Sequence, residues 1–316
     1  MNIVVLDGYP LNPGDLDWAP IESLGSLTVY DRSTKFQIIE RSRSAKAILV
    51  NKIVINKEII DQLPLLEYIG VMATGYNNID LEAAKERGIT VTNVKAYGPA
   101  SVAQHTIGLL LAIANHVELH SQSVKRGDWE SCEDFCYTKT PLSELDGKTM
   151  GLIGLGDIGT RVADLAHALG MKVVAYRKNP KKTDKKFIEM VTLERLFETS
   201  DVISLHCPLT EETHEIINEQ RLASMKSNAI LLNTGRGPLI HEKALADALR
   251  EGVIAAAGLD VLSEEPPKSD NPLLTAPNCI ITPHNAWASF EARQRLLSMV
   301  AGNLKAYSEG APTNKL

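Results

Sequence analysis

The chain has 316 residues, 44% of them apolar and 23% charged, which are ordinary globular values and suggest two domains at roughly 150 residues each. Lys and Arg number 33 against 39 Asp and Glu, a net charge of −6, which argues against a surface built to wrap nucleic acid or lie on an acidic membrane. No run approaches ~18 uninterrupted apolar residues, so no bilayer span is expected, and four cysteines in a chain this long make no disulfide framework, which points to a reducing cytoplasm.

The first residues, Met1 to Gly8, form a short apolar run ending in a turn, without a basic leader or cleavage site, and read as a strand rather than a signal peptide. Ile3–Leu6, Leu27–Tyr30, Ala47–Val50, Tyr68–Val71 and Ile89–Thr92 read as strands, with helical candidates near 34–43, 56–62 and 80–87 between them. This alternation predicts a parallel sheet with helices on its faces. One long helix is expected from Ser101 to about Arg126, started by Gly98-Pro99 and apolar nearly all round in its middle, hence buried between domains or between subunits. A turn-rich stretch from Gly127 to Gly147 carries Trp129, Phe135 and Tyr137, which suit an interface.

A second alternating series follows. Strands are expected at Met150–Ile153, Lys172–Tyr176, Val202–Leu205, Ala229–Leu232, Ala256–Leu259 and Cys279–Thr282, with helices at 157–169, 192–198, 218–225 and 241–250. Six strands complete a dinucleotide-binding domain. The last helix, about 288–308, has no place in that domain, and its Leu296, Leu297, Val300 and Leu304 suit packing on the N-terminal one. The expected fold is therefore α/β: two doubly wound parallel-sheet domains, Rossmann-like and flavodoxin-like, with a cleft between them. Residues 1–98 plus 288–316 form the substrate domain and residues 99–287 the dinucleotide-binding domain.

Gly154, Gly156 and Gly159 satisfy G-x-G-x-x-G between a strand and a helix. The first glycine permits the tight turn, the second lets a pyrophosphate approach the backbone, and the third allows close helix–sheet packing, with free N–H groups of the helix start facing the anion. A tight turn without a ligand carries the same signature, and the well-formed strand and helix around it favour the dinucleotide. The next strand ends in Tyr176-Arg177-Lys178, with no acid for the 2′-hydroxyl of NAD. A guanidinium can grip a 2′-phosphate, so Arg177 leans the reading to NADP(H), against the alternative of a solvated strand end. The charged run Lys178–Lys186 reads as a solvated loop or a second contribution to that phosphate.

Three polar residues follow later strands: Arg236, Glu265 and His284. Ligands of open α/β sheets bind at strand C-terminal ends, so all three can reach one crevice. Glu264 rivals Glu265, but only Glu265 directly precedes the Pro-Pro pair. His206 also ends a strand and suits packing beside a cofactor. Cys132 and Cys136 lack a second ligand pair, so no metal site is expected.

With these residues in place, the chain resembles the D-isomer-specific 2-hydroxyacid dehydrogenases of the glycerate dehydrogenase/hydroxypyruvate reductase type. The carriers are Met72–Asp80, Ser101–Gln104, Glu144–Lys148, the glycine turn, His206–Thr210, Asn233–Gly237, Leu259–Pro267 and Thr282–Asn285. The resemblance implies an oxidoreductase exchanging a hydride between NAD(P)H and a small 2-oxo acid, hydroxypyruvate or glyoxylate first. It implies His284 as acid or base, Glu265 as the partner that fixes its tautomer, and Arg236 as the group that grips the carboxylate and polarises the carbonyl. Lys52 and the Thr74–Gly75 backbone join Arg236 and His284 as substrate contacts. Cofactor contacts carry over to Asp157, Ile158, Arg177, Cys207, Pro208, Thr213, Thr234, Gly235, Arg236 and Asp260. Many relatives have Asp where Arg177 stands. A cytoplasmic homodimer is expected, without nucleic-acid or membrane partners. The rivals are a dinucleotide-sensing corepressor and a phosphoglycerate dehydrogenase-type enzyme; formate dehydrogenase relatives carry Gln at the Glu265 slot.

Overall fold

The computed structural model describes residues 1–178 and 184–316. The chain divides into two compact units, Met1–Gly98 with Ala288–Leu316, and Pro99–Trp287.

The smaller unit begins β1 (Asn2–Val5), α1 (Ala19–Glu22), β2 (Ser26–Val29), α2 (Ile38–Ser42), β3 (Ala47–Val50) and α3 (Lys57–Asp61). It continues β4 (Tyr68–Val71), α4 (Leu81–Glu86) and β5 (Thr90–Thr92). All neighbouring strands are parallel, in the order β2-β1-β3-β4-β5, the flavodoxin-like doubly wound order. β3 and β4 are buried throughout, which is why they read as unbroken apolar runs. Asn56 and Asp80 start α3 and α4 by accepting the N–H of Ile59 and Ala83. The chain's last helix returns to this unit and packs on α1 and β4. There the nearly buried Arg293 grips Asp15 through two bonds of 2.7 and 2.6 Å.

The larger unit opens with α5 (Pro99–Asn115), α6 (Val117–Lys125), β6 (Thr149–Ile153), α7 (Asp157–Ala168) and β7 (Lys172–Tyr176). Then come β8 (Ile188–Met190), α8 (Leu193–Thr199), β9 (Val202–Leu205), α9 (Glu219–Ala223) and β10 (Ile230–Asn233). α10 (Glu242–Arg250), β11 (Ala256–Leu259) and β12 (Cys279–Ile281) complete it, and α11 (Phe290–Ser308) is the helix that returns to the smaller unit. The parallel sheet runs β12-β11-β10-β9-β6-β7-β8, the Rossmann order with one further strand at the end. Alternate strand residues feed opposite faces. Ile153, Ile203, Leu205 and Leu231 join the core under α8, α9 and α10, whereas Leu152, Val202, Ile230 and Leu232 join the core under α5 and α7.

Two expectations need correction. The long helix is two, broken at His116, whose φ is +47°. The carbonyl of Ala114 takes the N–H of Ser143, so the later segment caps α5 and the chain turns away. Within its own unit, α5 packs against α7, β10 and β11. The sheet also has, among the described residues, seven strands and not six, because the short edge strand β8 pairs with β7. Of the charged run 178–186, residues 179–183 lie outside the described residues.

Candidate active site

The turn after β6 is shaped by what lies against it. Gly154 has φ +100°, and a Cβ there would come within 2.5 Å of the His206 backbone carbonyl. A Cβ on Gly159 would meet the Gly154 oxygen at 2.3 Å, so α7 can approach β6 only with glycine at that position. Gly156 is different: nothing lies within 4 Å of its missing Cβ. It is also the N-cap of α7 and supplies no side-chain cap, so the first N–H groups of that helix keep their donors for an anion. This open cradle, between the ends of β6 and β9 where the strand order reverses, fits the pyrophosphate of a dinucleotide. Asp157 and Ile158 form the first turn of α7.

Arg177 follows β7 and folds back to the glycine turn, with Nη1 donating to Leu155 O at 3.4 Å. Lys178 is drawn into an exposed ion pair with Glu212. After β9, Thr213 closes the next turn by donating its hydroxyl to Pro208 O at 2.7 Å and accepting the N–H of Thr210 at 2.8 Å. Burial pushes the Cys207 thiol up to about 11, so it stays protonated. His206 lies against the glycine turn, 2.9 Å from the Ser204 hydroxyl, and burial holds its ring down to about 4, hence neutral.

β10, β11 and β12 are neighbours, with Asn233, Leu259 and Ile281 at one level of the sheet. Arg236, Glu265 and His284 follow those three residues and so leave adjacent strand ends, and of the three Glu265 and His284 are in contact. Asn233 is fully buried and builds the Arg236 turn: its amide oxygen takes the Gly235 N–H at 3.0 Å and its NH2 donates to Arg236 O at 2.8 Å. Arg236 itself is exposed, with Nη1 on Gly235 O at 2.8 Å. Thr234 is buried against the Thr106 hydroxyl at 2.9 Å.

His284 Nδ1 lies 2.6 Å from Glu265 Oε2, while Glu265 Oε1 accepts the N–H of Leu262 at 3.1 Å. The pairing leaves Nε2 as the nitrogen that can exchange a proton with a ligand. Glu264 instead pairs with Lys268. The Glu265 loop is tied to α10, since Glu242 accepts from Ser263 N at 2.7 Å and Asn271 Nδ2 at 2.8 Å. Asp260 is 1% exposed, and both its oxygens are engaged inside the protein, by the Thr282 hydroxyl and the N–H groups of Asn285 and Ala286. A carboxamide contact would share oxygens already committed.

In the smaller unit, Lys52 follows β3 and is exposed, and its backbone N–H is held by Asp7 Oδ2 at 2.6 Å. Asp7 also takes the N–H groups of Asn51 and Ile53, yet burial raises its pKa. Thr74 and Gly75 follow β4, and the Thr74 hydroxyl donates to Val94 O at 2.9 Å. Among the described residues, neither backbone N–H of this pair donates to the protein.

Sequence reasoning missed the supporting side chains: Asn233, Glu242, Asp7 and His105. Asn233 had a signal, an amide at a strand end before Thr-Gly, which suits an Asx-type turn. The others had none.

The chain is similar to several known proteins. Residues 107–286 match the family model described as "D-isomer specific 2-hydroxyacid dehydrogenase, NAD binding domain". A hydroxypyruvate reductase of Blautia hydrogenotrophica is 50% identical over 319 residues, 99% of each chain. A glycerate dehydrogenase of Methylorubrum extorquens is 42% identical over 283 residues, covering 89% of this chain and 88% of that one. Among solved structures, an acyclic imino acid reductase in complex with NADPH and D-Arg superposes with a TM-score of 0.84 at 33% identity over the full length of both chains. The chain belongs to the D-isomer-specific 2-hydroxyacid dehydrogenase family. Residues 107–286, which match the NAD-binding-domain model, lie within the larger unit.

Proposed function

We propose that this protein is a D-2-hydroxyacid dehydrogenase that reduces hydroxypyruvate to D-glycerate, and glyoxylate to glycolate, with a reduced nicotinamide dinucleotide. The observation that carries the reading is the His284–Glu265 pair at 2.6 Å, whose residues follow the two strands on one side of the strand that precedes Arg236. The names of the two relatives support the choice of substrate. A corepressor or a phosphoglycerate dehydrogenase-type enzyme is not favoured by them.

When bound, the nicotinamide supplies the hydride for C2 of the 2-oxo acid. Arg236 holds the substrate carboxylate with a planar fork of donors and draws charge toward the carbonyl oxygen. As C2 is reduced, that oxygen becomes an alkoxide, and His284 Nε2 gives it a proton. Glu265 keeps the other nitrogen as a donor and offsets the positive charge of the protonated ring. The backbone N–H groups of Thr74 and Gly75, and the Lys52 ammonium, are the remaining substrate contacts. Gly154, Gly156, Asp157, Ile158 and Gly159 hold the pyrophosphate. Cys207, Pro208 and Thr213 line the adenosine, Thr234 and Gly235 the nicotinamide half, and Asp260 the carboxamide.

Arg177 favours NADP(H), because a guanidinium at the end of β7 complements a 2′-phosphate. The protein works as a homodimer, supported by the apolar surface left exposed on α6 and the stretch after it: Val117, Leu119, Val124, Trp129, Phe135 and Leu142. A cytoplasmic place is supported by four free cysteines. The test is steady-state reduction of hydroxypyruvate, glyoxylate and pyruvate with NADPH and NADH in parallel. The expected result is turnover of the first two with a preference for NADPH. A strong NADH preference overturns the role of Arg177, and no turnover of any 2-oxo acid overturns the enzyme reading.

A further inference from the structure

Helix α5 carries two polar side chains one helical turn apart, Ser101 and His105, and both end on the segment that presents His284. Ser101 donates its hydroxyl to Ala286 O at 2.6 Å. His105 Nε2 lies 2.9 Å from Thr282 Oγ1 and 3.6 Å from Asp260 Oδ1. The Thr282 hydroxyl spends its proton on Asp260 Oδ1 at 2.6 Å, so its oxygen accepts, and His105 carries a proton on Nε2. The result is a chain of bonds from His105 through Thr282 to Asp260.

Asp260 passes that anchorage on to both sides of His284. Its oxygens accept the N–H groups of Asn285 at 3.0 Å and Ala286 at 2.9 Å, and its backbone carbonyl accepts the N–H of His284 at 2.8 Å. His284 has φ +52°, a left-handed backbone that a residue other than glycine keeps only where its surroundings hold it. Here they hold it from residue 282 to residue 286.

We propose that Ser101 and His105 are positioning residues for the acid–base histidine: they clamp the 282–286 turn from α5 and so fix the direction in which His284 offers Nε2. This rests on the reading of His284 as the proton donor. Neither side chain touches substrate or cofactor in this scheme. Both act through Thr282, Asp260 and Ala286.

The experiment compares His105→Ala, His105→Gln, Ser101→Ala and His284→Gln with the parent enzyme. It reads kcat for hydroxypyruvate, the Kd of NADPH by fluorescence, and the solvent deuterium isotope effect on kcat. Because small misplacements of a catalytic group cost large factors in rate, His105→Ala should lower kcat on the order of tenfold while the cofactor Kd moves by less than about twofold. Its solvent isotope effect should rise, since proton transfer becomes slower relative to the other steps. Gln can again donate to Thr282, so His105→Gln should recover most of the loss, and Ser101→Ala should fall in the same direction as His105→Ala. The proposal is overturned by a parental kcat and isotope effect in folded His105→Ala, or by a fall in cofactor affinity that parallels kcat. If that variant does not fold, the Gln and Ser101 variants decide: parental behaviour in Ser101→Ala, or no turnover in folded His105→Gln, overturns it. His284→Gln separates the two claims. Turnover in His284→Gln refutes the proton-donor reading itself, whereas a dead His284→Gln beside a parental His105→Ala refutes only the clamp.

Discussion

Replacing Glu265 by Gln removes the charge of the acid–base pair while keeping its size. The amide keeps the length of the side chain, and its oxygen can still accept from His284 Nδ1, now 2.6 Å from a carboxylate oxygen. What disappears is the negative charge facing the ring, and with it the acceptor for the Leu262 N–H, which the amide NH2 cannot replace. The two side chains are 29% and 34% exposed, so solvent screens the pair in part and the Coulomb energy of a dry interior does not apply. A hydrogen bond to a charged group contributes about 1.5–3 kcal/mol, against about 0.5–1.5 for a neutral one, so the difference is about 1–2 kcal/mol. At about 1.4 kcal/mol per tenfold, that is roughly 5- to 30-fold in rate. The oxidation of D-glycerate reports it most cleanly, because His284 then gains its proton and its charge during the step. With D-glycerate saturating, the rate of nicotinamide reduction should fall in Glu265→Gln by that factor, with an unchanged KM for the cofactor. A parental rate would refute the pairing argument, and a fall carried by cofactor KM would move the defect to binding.

Arg236→Lys keeps the charge and removes the planar fork, so KM for hydroxypyruvate should rise on the order of tenfold or more in steady-state assays. The neutral, half-buried His206 makes stability depend on pH. Its folded pKa of about 4 lies below the unfolded value of about 6.5, so its contribution is intact above about pH 6.5 and is lost as pH falls toward 4. Urea unfolding between about pH 7.5 and 5 should show the parent losing up to about 2 kcal/mol more than His206→Gln. An equal loss in both would show that another group titrates. Phe135 is 89% exposed; light scattering should find Phe135→Glu shifted from dimer to monomer, and a parental mass would remove this patch from the interface.

The parts of the fold that sequence carried are those buried on both faces. Ala47–Val50, Tyr68–Val71, Val202–Leu205 and Ala256–Leu259 read as strands because a parallel sheet demands unbroken apolar runs, and the structure has them at those residues. β8 escaped because it is three residues long with Glu189 at its centre, an edge strand with one neighbour. The break at His116 escaped because no glycine or proline marks it: a left-handed histidine ends α5, and the Ala114 carbonyl is taken by the N–H of Ser143, far along the chain. The same division holds at the site. Arg236, Glu265 and His284 stood out because reactive side chains follow strand ends. Ser101 and His105 did not, because their partners lie 185 and 177 residues away and no spacing on a helix announces them. Lys178, read as part of a solvated loop or a second contribution to a 2′-phosphate, stands in an exposed ion pair with Glu212.

The most direct test of the account follows the hydride itself. The enzyme is supplied with hydroxypyruvate and reduced nicotinamide cofactor deuterated at the transferring carbon, and the product is analysed by NMR and chiral chromatography. The account predicts D-glycerate carrying deuterium at C2, and none from His284→Gln. L-glycerate, deuterium-free product, or an undiminished yield from the histidine variant would contradict it.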